Sequence, residues 1–93
     1  MITNYMIIGY GWRADFYYRI AKLLPERFSV CAGVLRTEER AKEVAHKEGV
    51  FATSDLDQAL ERKPDFAVLC VPRDVTKDYL VKLMKKGIPV LCE

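Results

Sequence analysis

Tyr5-Met6-Ile7-Ile8-Gly9-Tyr10-Gly11-Trp12-Arg13-Ala14 is the stretch that decides how this chain is read. Four apolar residues make a short strand that runs straight into the pattern G-x-G-x-x-A, and a helical pattern follows. Gly9 permits the sharp strand-to-helix turn. Gly11, without a Cβ, lets a phosphate approach the main chain, and Ala14 is small enough for the helix to pack tightly on the strand. Amides at the new helix N-terminus, from Trp12 and Arg13 onward, then face that charge, and the helix dipole favours it. The spacing is that of a dinucleotide-binding turn; the competing reading is a tight turn that serves packing alone.

Outward from this turn the chain alternates between strands and helices. Tyr5–Ile8 reads as the first strand. Trp12, Phe16, Ile20, Leu23 and Leu24 then recur at helical spacing until Pro25 stops the helix. Phe28–Leu35 is a second, nearly all-apolar strand. Thr37 caps a helix through Lys47 with an inner stripe of Ala41, Val44 and Ala45, and Gly49 ends it. Val50–Ala52 is a short third strand. Ser54, with Asp57 three residues on, marks a helix start whose Leu56, Ala59 and Leu60 face inward, and Pro64 closes it. Phe66–Val71 is the fourth strand. A helix over 73–86 turns Thr76, Tyr79, Leu80, Leu83 and Met84 inward, and after Gly87 the fifth strand covers Ile88–Cys92.

Strands apolar on both faces, separated by amphipathic helices, predict an α/β fold: a three-layer, doubly wound parallel sheet. Right-handed crossovers give the Rossmann-like strand order 3-2-1-4-5. Residues 1–93 form one domain with a modest core. The sequence stops on a strand with no covering helix after it, which predicts a fragment of a longer protein.

Composition narrows the function. Apolar residues at 51% and charged residues at 30% describe an ordinary globular chain. A net charge of +2 without a long basic block argues against nucleic acid. Lys82, Lys85 and Lys86 crowd a helix C-terminus, where cations suit the dipole. No apolar run reaches the roughly 20 residues that span a bilayer, and no secretory leader is visible. No membrane partner and a cytoplasmic location are the expectation. Cys31, Cys70 and Cys92 lack disulfide or metal-ligand spacing and read as reduced core thiols, with no metal. His46, the one histidine, lies among charges on a solvated helix face.

The cofactor is read at the second strand end. In this fold an acid about 20 residues beyond the glycine turn holds the ribose 2′-hydroxyl of NAD. Here the sequence gives Leu35-Arg36-Thr37, followed by Arg40. A guanidinium takes a 2′-phosphate bidentately and a hydroxyl adds a hydrogen bond. Arg36 and Thr37, with Arg40 as a second cation, therefore predict NADP(H) in preference to NAD(H); the alternative is that Arg36 stacks on the adenine of either. Cys70-Val71-Pro72-Arg73, at the end of the fourth strand, is the other candidate rim. Pro72 would stiffen it, Arg73 would meet a phosphate or carboxylate, and Glu93 falls on the same side.

Together, the early GxGxxA, the arginine ending strand two, Val71-Pro72 and the terminal Gly-Ile-Pro-Val-Leu-Cys-Glu resemble one family. The chain is similar to the N-terminal domain of the glucose–fructose oxidoreductase / inositol dehydrogenase / MocA (Gfo/Idh/MocA) oxidoreductases over nearly all its length. The resemblance implies an NAD(P)-dependent oxidoreductase acting on a sugar- or polyol-like carbon. It also implies that Glu93 matches the glutamate of a Glu-Lys-Pro motif beside the nicotinamide ribose, with the lysine and a substrate-holding C-terminal domain lying beyond. The chain departs from the family at Val71, where a threonine is usual, and at Thr76, where a histidine is frequent. Substrate identity is therefore left open.

No His, Tyr or Lys is placed as a general acid or base, so the chain by itself is expected to be catalytically silent. The alternative from another class is a non-catalytic nucleotide-binding sensor or regulatory module. Self-association into a homo-oligomer would use Tyr17, Tyr18, Tyr79 or the apolar last strand.

Overall fold

The computed structural model describes residues 1–92. Its elements run β1 (Thr3–Ile8), α1 (Trp12–Leu23), β2 (Phe28–Val34), α2 (Glu38–Glu48), β3 (Ala52–Thr53), α3 (Leu56–Leu60), β4 (Phe66–Leu69), α4 (Arg73–Lys85) and β5 (Val90–Cys92). Every strand pairing is parallel, and the sheet order is β3-β2-β1-β4-β5. This is the doubly wound, Rossmann-like arrangement that the alternation predicts.

Strand β1 is central because its side chains are apolar on both faces. Tyr5 and Ile7 pack with Ala14 and Tyr18 of α1 and Ala41 and Val44 of α2. Met6 and Ile8 pack with Ala59 of α3 and Leu83 of α4. Each large side chain so buried contributes about 1.5–3 kcal/mol. At the strand's entry, Asn4 and Asp65 exchange hydrogen bonds: the Asn4 amide donates to the Asp65 carboxylate at 2.8 Å, and the Asp65 amide donates to the Asn4 carbonyl at 2.7 Å. These fix where β4 begins beside β1.

Between Tyr5 and Met6 the register with β2 shifts, from Val30 to Ala32, leaving Cys31 as a bulged residue. Cys31 and Ala32 consequently pack toward the same cluster. Burial pushes the Cys31 thiol up, as expected of an inert, half-buried thiol. Cys92 differs from the expectation of a core thiol: it is exposed on β5.

Helix α1 shows the largest departure from the sequence pattern. The stripe Trp12, Phe16, Leu23 faces outward, with exposures of 76%, 60% and 76%. Ala14 and Tyr18 are buried instead. Two apolar stripes share this helix at 3.6-residue spacing, and the close approach of α1 to β1 selects the one that starts with the smaller residue. Tyr18, expected as a contact surface for a second copy, is thus part of the core. On α4, Met84 is exposed rather than inward. The α3 cap is Asp55, which accepts from the Asp57 amide, whereas Ser54 binds Glu38. Strands β3, β4 and β5 are displaced or shortened at their ends relative to the apolar runs.

The Tyr18 hydroxyl is buried without a hydrogen-bond partner among the described residues. It lies where a Cβ on Gly33 would sit. Gly33→Ala should therefore cost about 1–3 kcal/mol through overpacking, and Tyr18→Phe should leave stability equal or higher. In the Tyr18→Phe background the Gly33→Ala cost should fall by at least half. Urea unfolding of the two single variants and the double variant measures this; additive costs would disprove the steric coupling.

Candidate functional site

Three strand ends converge at the carboxyl edge of the sheet. The Gly9 amide donates to the Val34 carbonyl at 2.8 Å, and the Cys70 amide donates to the Ile8 carbonyl at 2.8 Å. Gly9 has φ 102°, and a Cβ there would overlap the Cys70 carbonyl. No other residue type fits that contact without moving β4. A cleft of about 520 Å³ opens above these ends.

The cleft brings together several residues singled out in the sequence. Gly9 forms its floor, Leu35, Arg36, Thr37 and Arg40 one wall, and Cys70, Val71 and Pro72 the other. Gly11, Trp12, Arg13, Ala14 and Arg73 do not line it. Ala14 is buried under α1 and Arg73 is exposed at the start of α4. The Trp12 and Arg13 side chains lie apart from the cleft, with the guanidinium 4.9 Å from the indole centroid. What this segment offers a ligand is backbone. Gly11 caps α1 at φ 146° with no side-chain hydrogen bond to the helix start, and a Cβ there would meet nothing within 4 Å. An open, uncapped helix N-terminus beside a cleft fits a pyrophosphate. Glu93 lies outside the described residues.

On the opposite wall, the Thr37 hydroxyl accepts from the Arg40 amide at 3.1 Å, capping α2 and leaving its own proton to donate. The Arg40 guanidinium is 3.6 Å from the Glu43 carboxylate, an exposed and therefore weak pair. Arg36 is exposed and has no ion pair among the described residues. Glu38, the first acid after the strand, is engaged elsewhere. Its carboxylate accepts from the Ser54 hydroxyl at 2.6 Å and the Ser54 amide at 3.1 Å, and these bonds hold its pKa below the ordinary value.

Sequence reasoning missed Tyr10, Ser54, Val75 and Tyr79 as cleft residues. Val75 and Tyr79 were legible as an i, i+4 pair in the first turns of a helix that starts at the rim. Ser54 was assigned to capping. Tyr10 gave no signal, because its partner is Glu48, 38 residues away. The Tyr10 hydroxyl donates to Glu48 Oε2 at 2.8 Å, and Lys22 Nζ donates to Glu48 Oε1 at 2.6 Å. The Glu48 side chain is only 2% exposed. Burial pushes its pKa up, but the hydrogen bonds from Lys22 and Tyr10 and the charges of Lys22 and Lys47 prevail, so it ends below the ordinary carboxylate value.

A family model described as an oxidoreductase family with an NAD-binding Rossmann fold matches residues 3–93. A search of curated proteins found no match. Solved structures share the fold. GenD2 from gentamicin A biosynthesis, in complex with NAD, superposes with a TM-score of 0.84 at 22% identity, covering 97% of this chain and 26% of that one. UDP-N-acetylglucosamine 3-dehydrogenase GnnA from Acidithiobacillus ferrooxidans gives 0.83 at 20% identity, covering 99% and 29%. Levoglucosan dehydrogenase, with NADH and levoglucosan, gives 0.85 at 16% identity, covering 99% and 27%. The chain thus spans between a quarter and a third of the length of these structures. No helix among the described residues is long and apolar enough to cross a membrane.

The depressed pKa of Glu48 makes stability depend on pH. A carboxyl whose folded pKa lies below its unfolded value stabilises the fold above the ordinary value of 4.5. That contribution is lost as the pH falls through the folded value, because the unfolded chain then binds the proton more readily. Between neutral pH and pH 3, Glu48→Gln should lose less stability than the parent. Urea midpoints across that range measure it; parallel curves would show that Glu48 carries no such linkage.

Proposed function

This chain belongs to the Gfo/Idh/MocA oxidoreductase family, with its NAD-binding Rossmann fold, and we propose that residues 1–93 form the cofactor-holding domain of a sugar or polyol dehydrogenase. The carrying observation is the cleft itself. A glycine turn that only glycine can make and a basic strand end border one opening at the switch point of the sheet, and the start of α1 follows that turn directly in the chain. The sugar-type substrate is supported by structures sharing the fold, among them dehydrogenases of a nucleotide sugar and of levoglucosan.

Each part has a role toward a bound dinucleotide. The amides following Gly11 would hold the pyrophosphate. Leu35, Val71 and Tyr79 offer apolar surface suited to the adenine, and Pro72 a rigid edge for the ribose toward the nicotinamide. Bound here, the nicotinamide would supply the hydride chemistry, while the protein supplies orientation and exclusion of water. Among the described residues, none lining the cleft is a His or Lys that could move a proton. The chain alone is therefore expected to bind without turning over a polyol.

For the same reasons we read the pocket as preferring NADP(H). Arg36 has no ion pair among the described residues, Thr37 keeps a proton to donate, and the nearby Glu38 carboxylate is engaged by Ser54. Calorimetric titration of the chain with NAD⁺ and NADP⁺ at equal ionic strength tests both claims. NADP⁺ should bind more tightly, and Arg36→Ala should reduce that preference about tenfold, or ~1.4 kcal/mol. Equal affinities unchanged by Arg36→Ala would remove the preference. No saturable binding of either dinucleotide would remove the function.

A further inference from the structure

The glycine turn presents backbone to its ligand, and both of its glycines sit at positive φ, 102° and 146°. Such a segment has many accessible conformations and little of its own to select one. The residue between the glycines is the exception. Tyr10 reaches away from the turn into the α1–α2 interface, where its hydroxyl donates to Glu48 at 2.8 Å. Its ring meets that of Tyr18 edge-on, with centroids 5.9 Å apart, and the Lys47 ammonium lies 5.5 Å from its centroid. Lys22, from the last turn of α1, holds the other carboxylate oxygen at 2.6 Å.

Glu48 is badly placed by every local rule. It is an acid at a helix C-terminus, against the dipole. It is also a buried charge, which costs stability unless its oxygens are satisfied. Its compensation comes from a lysine on α1 and from a hydroxyl belonging to the turn. We infer that Glu48 is a positioning residue for the glycine turn, acting through Tyr10 to fix the backbone between Gly9 and Gly11 in the conformation that receives a pyrophosphate. This rests on the dinucleotide reading. Without the tether, the turn must be ordered when ligand binds, and that cost comes out of the affinity. The turn meets the part that NAD and NADP share, so the loss is the same for both, unlike a loss at Arg36.

The test uses the ¹⁵N-labelled chain and Tyr10→Phe, Glu48→Ala and Glu48→Gln, each first shown folded by circular dichroism. Backbone relaxation should show lower order parameters at Tyr10, Gly11 and Trp12 in Tyr10→Phe and Glu48→Ala, with β1 and β4 unchanged. Both variants should bind NAD⁺ and NADP⁺ about two- to tenfold more weakly by one common factor. The double variant should be no worse than Glu48→Ala. Glu48→Gln keeps an acceptor for the Tyr10 hydroxyl and should recover most of the loss. A purely structural role would lower the melting temperature without a common factor in the affinities. Unchanged turn order, or factors that differ between the two dinucleotides, would overturn the inference. If the parent binds neither dinucleotide, the proposed function fails, and the relaxation data alone decide the tether: loosened turn amides support it and unchanged ones overturn it. Should Glu48→Ala not fold, Tyr10→Phe, which removes a single oxygen, carries the test.

Discussion

The packing of Gly9 against the Cys70 carbonyl is the constraint on which the rest of the structure depends. It brings the end of β1 against the end of β4 while the Gly9 amide is bonded to β2. The three strand ends are thereby locked around one point, and α1 and α4 must leave from it in opposite layers. A crevice at that point follows from connectivity: β2 and its helix lie to one side, β4 and its helix to the other. Any side chain at position 9 would push β4 away and remove both the contact and the cleft floor.

Much of this architecture was legible in the sequence, because it rests on local signals. The strand order came from alternation and handedness, and the turn came from glycine spacing. The Thr37 cap and the Gly49 stop came from residues whose chemistry acts within a few positions. The bulge at Cys31 was not legible. It depends on how Tyr5 and Met6 register against the neighbouring strand, and β2 is apolar throughout.

Helix α1 shows why periodicity alone could not choose its buried face. Trp12, Phe16 and Leu23 form the more hydrophobic stripe, yet Ala14 and Tyr18 are the buried ones. Helix α1 packs directly on β1, and a small residue, Ala14, occupies the first inward position. Tyr18 then spans the gap to Gly33, the one place in β2 without a side chain. The outward apolar stripe remains uncovered among the described residues.

The candidate site was legible where it is made of strand ends and illegible where it is held by a distant side chain. Arg36, Thr37 and Pro72 follow from where strands stop. Glu48 does not, since nothing in a run of charged helical residues marks one of them as buried; only the tertiary approach of α1 to α2 does so. The two kinds of residue divide the work. In the proposed reading, strand-end residues would meet the features in which dinucleotides differ and so would bear on selectivity. The Tyr10–Glu48–Lys22 chain ties the turn to α1 and α2, so in the inferred role it would bear on how much order the cleft already has before any ligand arrives. A fold whose phosphate contacts come from glycine backbone needs that order supplied from outside the turn, and a buried carboxylate bonded to the intervening side chain is a way to supply it without placing a negative charge in the cleft.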